Sequence, residues 1–245
     1  MYVPRTYRAN QDDGDLHHLR IAVSETDLWI GLRAPGDLLP CIREQAEAKV
    51  LSLRRNLKSH MAFHPHFKDS LVPLPYSQDD PAIVKRMSEA AAKVGVGPMA
   101  AVAGTIAEMV GEVILSMCSE LIVENGGDIF LFCRQRRRIG ILAGSSPLSG
   151  KIAILAPTNI PVGICTSAGT SGHSLSIGRA DAAVVMSQDT ALADAAATKA
   201  GNLVQEASGI QSAIEQVSKI PGVMGVLIIK DDKLGAWGNI ELEPL

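Results

Sequence analysis

The sequence predicts an α+β fold, and three observations carry that prediction. Short apolar runs bounded by polar or glycine-containing turns recur along the chain and read as strands. Between them lie segments with helical spacing, several of them rich in alanine. No repeat, charge block or Pro/Ser-rich linker divides the 245 residues, so one domain over 1–245 is the simplest organisation.

Taken in order, residues 19–23 and 28–32 read as strands around the polar turn 24–27. Residues 38 to about 57 have helical spacing, with Arg54 and Arg55 near the end. His60, His64 and His66 follow around Pro65 and suggest a metal cluster at first sight. Pro65 interrupts the helix that would present them together, and no carboxylate stands at useful spacing, so a metal is not expected there. Residues 81–93 form a second helix. After the break at Gly95-Val-Gly-Pro98, Pro98 suits the first position of a third helix over 99–117. That helix carries Ala100, Ala101, Ala103, Gly104, Ala107 and Gly111. Glycine inside a helix costs about 1 kcal/mol, so Gly104 and Gly111 need a compensating contact, either packing or a ligand.

Residues 121–124 and 128–133 then flank Asn125-Gly126-Gly127, and 139–143, 151–155, 163–166 and 181–186 continue the strands. The basic run Arg134-Gln-Arg-Arg-Arg138 lies between two apolar runs and reads as a solvated hairpin turn. Residues 191–207 form an alanine-rich helix and 210–218 the last one. A hairpin of 223–229 and 234–237 ends the chain.

Hydrophobic residues make up 47% of the chain and charged residues 20%, which suits a soluble globular protein with a sizeable core. Aromatics are only 4%, so that core depends on close backbone packing. A net charge of −3 offers no electrostatic footprint for nucleic acid. Cys41, Cys118, Cys133 and Cys165 lack metal spacing and suggest no disulfide. Met1-Tyr-Val-Pro-Arg5 does not read as a signal peptide, and no apolar run approaches the roughly 18 residues of a membrane span. The expected protein is cytoplasmic, with no membrane partner.

Three segments could carry chemistry. Gly163-Ile-Cys-Thr-Ser-Ala-Gly-Thr-Ser-Gly-His173 packs glycines and hydroxyls ahead of a histidine, and its backbone amides could cradle a phosphate. It lacks the Gly-Lys-Ser/Thr ending of a P-loop, and a small-residue surface loop has the same composition. Glu124-Asn-Gly-Gly-Asp128 sets two acids about a hairpin turn, where a plain turn accounts for much of it. In Ala193-Asp-Ala-Ala-Ala-Thr198, Asp194 and Thr198 are four apart and share one helix face. A carboxylate and a hydroxyl there suit a hard cation such as Mg²⁺; alternatively, Asp194 favours the first turn of its helix.

In this order the three segments resemble the ApbE-like superfamily, named for FAD:protein FMN transferases. Members carry a Gly-Gly-Asp turn, a Thr-Ser-Gly loop followed by a histidine, and an Ala-Asp-Ala-x-x-Thr helix. The counterparts are Gly126-Gly-Asp128, Thr166-Ser-Ala168 with His173, and Ala193-Asp-Ala-Ala-Ala-Thr198. Over most of its length the chain is similar to an uncharacterised family within that superfamily. Its hallmarks stand at Glu25-Thr-Asp-Leu28, Val96-Gly-Pro-Met-Ala-Ala-Val-Ala-Gly104, Glu124-Asn-Gly-Gly-Asp-Ile129 and Thr166-Ser-Ala-Gly-Thr-Ser-Gly-His173.

The resemblance implies a T-fold-like (ApbE-like) antiparallel sheet backed by helices, with the motif-bearing core at about 97–201. It implies Mg²⁺ and a flavin nucleotide, FAD or FMN. Asp194 and Thr198 would be metal ligands. Asn125, Gly126, Gly127, Thr166, Ser167, Gly169 and Thr170 would line the nucleotide, and His173 and Asp128 would be catalytic. An acceptor protein and a homo-oligomer follow by the same analogy.

The chain also departs from the transferase pattern. His173 is followed by Ser174-Leu-Ser-Ile-Gly-Arg-Ala-Asp181 instead of Asp-Pro-x-Thr-Gly. Ala103-Gly-Thr-Ile-Ala-Glu108 stands where transferases have a Lys-Gly-Tyr-Ala-Val-Asp-like segment. Three functions therefore stay open: a transferase-like enzyme, a non-catalytic binder of a nucleotide or small anion, and a structural or assembly protein. His173 could be a general acid–base, a ligand contact or a loop-ordering donor.

Overall fold

The computed structural model describes residues 14–168 and 178–245. Its strands, in chain order, are β1 (His17–Val23), β2 (Thr26–Arg33), β3 (Glu120–Asn125), β4 (Asp128–Phe132), β5 (Arg138–Gly140), β6 (Ile152–Leu155), β7 (Val162–Ser167), β8 (Ala182–Ser187), β9 (Val223–Lys230), β10 (Lys233–Gly238) and β11 (Leu242–Pro244). The helices are α1 (Leu39–Phe63), the single turn α2 (His66–Asp69), α3 (Ala82–Val94), α4 (Val102–Ile114), α5 (Thr190–Leu203) and α6 (Ile210–Val217). The expected α+β class, an antiparallel sheet backed by helices, is the architecture observed.

Eight strands form one antiparallel sheet in the order β1-β2-β3-β4-β7-β8-β9-β10, which is also their order along the chain. Helices α1–α4 fall between β2 and β3, and α5–α6 between β8 and β9. Two similar halves result, each made of two strands, a helical insertion and two strands, and they meet where β4 pairs with β7. The helices cover one face. Strand alternation sends Leu121, Val123, Phe130, Cys165, Ala183 and Val185 into that core. The opposite side chains, among them Leu131, Val162, Ile164, Val184, Met186 and Leu227, form a second core. A three-stranded sheet, β11-β6-β5, covers it with Ile154. Strands apolar on both faces explain why β8 reads Ala-Ala-Val-Val-Met-Ser without alternation.

Several boundaries differ from the sequence reading, each for a local reason. Helix α1 runs on to Phe63 because nothing interrupts it before Pro65. Helix α5 begins at Thr190, since the Asp189 carboxylate caps it by accepting from Leu192 N at 2.9 Å. It stops at Leu203, because Val204 is extended and its carbonyl accepts from Arg179 N at 2.8 Å. The expected hairpin at Arg134–Arg138 does not form. Strand β4 pairs with β3 and β7, while β5 pairs with β6 in the smaller sheet. The basic run is instead a crossover between sheets. Arg137 turns inward there to pair with Glu120 at 2.7 Å and Asp15 at 2.8 Å.

The stretch Pro98–Met117 is 20 residues long, includes an 18-residue window of mean hydropathy 1.5, and is apolar enough by length and composition to cross a bilayer. Here it is a core helix: α4 packs against α1, α3, α5 and strands β3 and β4. All four cysteines are free thiols, Cys41 exposed and Cys133 and Cys165 buried.

Candidate ligand site at the seam between the two halves

Asn125 and Asp128 are partners across the β3–β4 hairpin, so Gly126 and Gly127 form its two-residue turn. Both have positive φ, 75° and 106°, the backbone that a type I′ turn demands and that glycine adopts without strain. The Glu124 carboxylate curls back to accept from Gly127 N at 3.0 Å. Asn125 points to the helical side, where its amide nitrogen donates to Ala103 O at 3.1 Å. The turn is thereby fastened to the start of α4.

Asp128 opens β4 and lies directly opposite Cys165 on β7. It is 8% exposed, and its Oδ1 has no hydrogen-bond partner among the described residues. Asp194 is equally buried and lies in the second turn of α5, not the first, because Asp189 already caps that helix. Its Oδ2 accepts from Gly104 N at 2.8 Å. Burial, reinforced by the charge of Asp194, pushes the Asp128 carboxyl well above the usual carboxylate range. Burial also raises Asp194, to about 7, against the pull of the Gly104 and Ala103 N–H groups. Two adjacent buried carboxylates, one with an oxygen unsatisfied, form a site that a cation would stabilise.

Small residues bring these groups together. A Cβ on Gly104 would stand 2.6 Å from Thr190 O and 2.8 Å from Asp194 Cβ, and one on Gly163 would stand 2.6 Å from Thr190 Cα. Gly111 is covered by the Phe130 ring. Both helix glycines of α4 are therefore explained by packing. A second tie joins α4 to α5 one turn further along. Glu108 Oε1 accepts from Thr190 N at 3.1 Å, while its Oε2 pairs with Arg86 at 3.1 Å.

The remaining expected residues are placed as follows. Ser167 is buried on the helical side near Gly201, with its hydroxyl unpartnered among the described residues. Thr166, one residue earlier, alternates to the opposite face, and its N–H donates to Gly127 O at 3.2 Å. Thr198 lies one turn beyond Asp194 on α5, half-buried. Gly169, Thr170 and His173 lie outside the described residues. Asn125, Asp128, Ser167 and Asp194 are thus on one side of the sheet, under α4 and α5. Sequence reasoning missed Cys165, Thr190 and Glu108. The period-two alternation of β7 would have put Cys165 on the face of Ser167.

Two cavities lie elsewhere. One of about 320 Å³ is lined by Arg136, Thr158, Asn239 and Glu241. The other, of about 290 Å³, is lined by His60, His64 and Asp80. There His60 stacks on His64, and its Nδ1 lies 3.3 Å from Asp80, a carboxylate the fold supplies from 20 residues away. No group of three metal-ligating side chains occurs there or elsewhere among the described residues.

The model of a protein family described as "AbpE bacteria" matches residues 8–220. The chain belongs to this family. Among relatives of the chain, the UPF0280 protein of Methanocella arvoryzae is 40% identical over 192 residues, 78% of either chain. The UPF0280 protein of Methanothrix thermoacetophila is 40% identical over 199 residues, 80% of this chain and 84% of the relative. Among solved structures, the flavinyl transferase ApbE of Pseudomonas stutzeri in its apo form superposes with a TM-score of 0.54. The match covers 91% of this chain and 93% of that one at 11% identity. At that identity the likeness establishes an ApbE-like fold and carries no residue roles.

Proposed function

We propose that the seam binds a flavin-type dinucleotide through its pyrophosphate, together with Mg²⁺. The supporting observation is the Asp128–Asp194 pair, two buried carboxylates with an unsatisfied oxygen between the halves of the fold. Mg²⁺ favours one or two carboxylates and completes its shell with water and phosphate oxygens, so a pair of carboxylates that forms no larger His, Cys, Asp or Glu cluster among the described residues suits it. Asp128 and Asp194 would hold the ion, with the Thr198 hydroxyl on the same ridge of α5. Mg²⁺ on a pyrophosphate neutralises charge and polarises the bond to be broken. Gly126, Gly127, Ser167 and the segment holding Gly169, Thr170 and His173 would contact the nucleotide.

The reaction in this reading is FMN transfer to an acceptor protein, in a cytoplasmic homo-oligomer. One observation favours a second reading, binding without transfer. Glu108 closes the segment that replaces the transferase pattern, and it is engaged by Arg86 and Thr190 N within the helical layer.

Thermal denaturation with FAD, FMN or ADP, each with and without Mg²⁺, tests the binding. A ligand at 100 times its Kd stabilises the native state by about 2.7 kcal/mol. FAD with Mg²⁺ is expected to give the largest rise in Tm, and the rise is expected to vanish in Asp194→Ala. The absence of any shift with saturating flavin rejects the reading. Covalent FMN on an acceptor protein, lost in Asp194→Ala, separates transfer from binding.

A further inference from the structure

We infer that strand β10 is the surface on which two copies of this chain meet, edge to edge about a two-fold axis; this gives the homo-oligomer of the reading above its interface and rests on that part of it. β10 ends the eight-stranded sheet on one side and β1 on the other. In the β9–β10 hairpin Lys230 is opposite Lys233, so the backbone groups of Lys233, Gly235 and Trp237 point to β9. The bond from Asn239 N to Met224 O, at 2.8 Å, keeps the same phase. Leu234, Ala236 and Gly238 therefore turn their N–H and C=O groups away from β9. Gly238 O accepts from Ile240 N at 2.9 Å, whereas the N–H and C=O of Leu234 and Ala236 have no partner among the described residues.

The two ends of the sheet are not alike. At β1 the outward carbonyl of Arg20 accepts from the Arg43 guanidinium of α1 at 3.1 Å, which an added strand would have to displace. β10 has no such cover, and no proline, bulge or charge interrupts it from Leu234 to Gly238. Its side chains supply a second observation. Gly235 faces Ile210 and Ile214 of α6, which puts Lys233 and Trp237 on the helical face and Leu234 and Ala236 on the other. Leu234 and Trp237 are each 42% exposed, so both faces of this edge hold a large apolar side chain half in water. A second copy completes both sets of groups. With Gly235 on the axis, Leu234 stands opposite the partner's Ala236, and the two exchange their free N–H and C=O groups. In the same register Lys233 faces the partner's Trp237 at a close, non-hydrogen-bonded position, where an ammonium attracts the indole face. The edge is thus complementary to itself in backbone, apolar contact and charge.

Sedimentation velocity of the full chain across a range of concentrations is the test. The parent is expected to dimerise. Leu234→Lys, which sets a cation between the copies, is expected to raise the dissociation constant about 10-fold or more. Ala236→Pro removes an outward N–H without touching the β9 ladder and is expected to act in the same direction. Leu51→Lys, at a similarly exposed leucine on α1, is expected to leave the dimer intact. Unchanged association in both β10 variants, with the fold retained by circular dichroism, overturns the inference while leaving an oligomer that forms elsewhere. A monomeric parent overturns it together with the homo-oligomer. Neither result touches the ligand reading, which the thermal shifts decide. A second measurement needs no variant. Amide exchange at Leu234 and Ala236 is expected to slow as protein concentration rises through the dimerisation range, and free exchange of both amides in the dimer also overturns the inference.

Discussion

Asp128 and Asp194 lie in the interior with no basic side chain paired to either among the described residues, and that fixes how the ligand-free protein responds to pH. Both carboxyls are raised by burial, so the folded chain holds their protons more tightly than the unfolded chain. Between the ordinary Asp range near pH 4 and the raised values, the native state binds more protons, and stability falls as pH rises. For Asp194 the loss is complete above about 7, and Asp128 contributes in the same direction. Asp128→Asn removes one buried charge and is expected to raise Tm at pH 8 by a few degrees, with a smaller gain at pH 5. Calorimetry at both pH values checks this. A lower Tm at pH 8 would mean that the carboxylate is stabilised by something other than the surroundings described above. The acids themselves were visible in the sequence, but their meeting was not. Residues 128 and 194 are joined through a β4–β7 pairing that no local pattern announces.

The α4–α5 contact is the element on which the site depends. Gly104 and Glu108 are one turn apart on α4, as are Thr190 and Asp194 on α5, and two hydrogen bonds join them crosswise. Gly104→Ala would push a methyl group against Thr190 O and Asp194 Cβ. Overpacking of this kind costs typically 1–3 kcal/mol, and denaturant unfolding is expected to show it. Glu108→Ala leaves Thr190 N unsatisfied and Arg86 without its inner partner, at about 1–3 kcal/mol, whereas Glu108→Gln retains an acceptor and costs less. Helix spacing made α1, α3, α4 and α5 legible in the sequence. The start of α5 is not legible in the sequence because Asp189 lies within the polar run Ser187-Gln-Asp-Thr190, and which of these residues caps the helix shows only in the Asp189 bond to Leu192 N. Strand β11 escaped because three residues ending in Pro244 carry no strand pattern; it forms by adding to β6.

At the scale of the whole molecule, strand order and layers decide which parts open first. Strands β4, β7 and β8 are paired on both sides and covered on both faces. The small sheet, with three-residue strands β5 and β11, has far less to lose. Hydrogen exchange is expected to be slowest in β4, β7 and β8 and to be faster by orders of magnitude in β5 and β11. Comparable protection in both sheets would refute this. The doubly covered sheet also explains why its central strands read as apolar runs instead of alternating. The basic run at Arg134–Arg138 was misread because leaving one sheet for another looks locally like a turn within one.

The meeting of β4 and β7 has a mechanical consequence. Asp128 belongs to the first of the two structural halves and Asp194 to the second, so a cation held by both would rivet the halves at their joint. Force applied across that joint would then have to strip the ion before the strands could part. Loading the site should therefore raise the rupture force of the β4–β7 pair while leaving the outer strands as easy to peel as before.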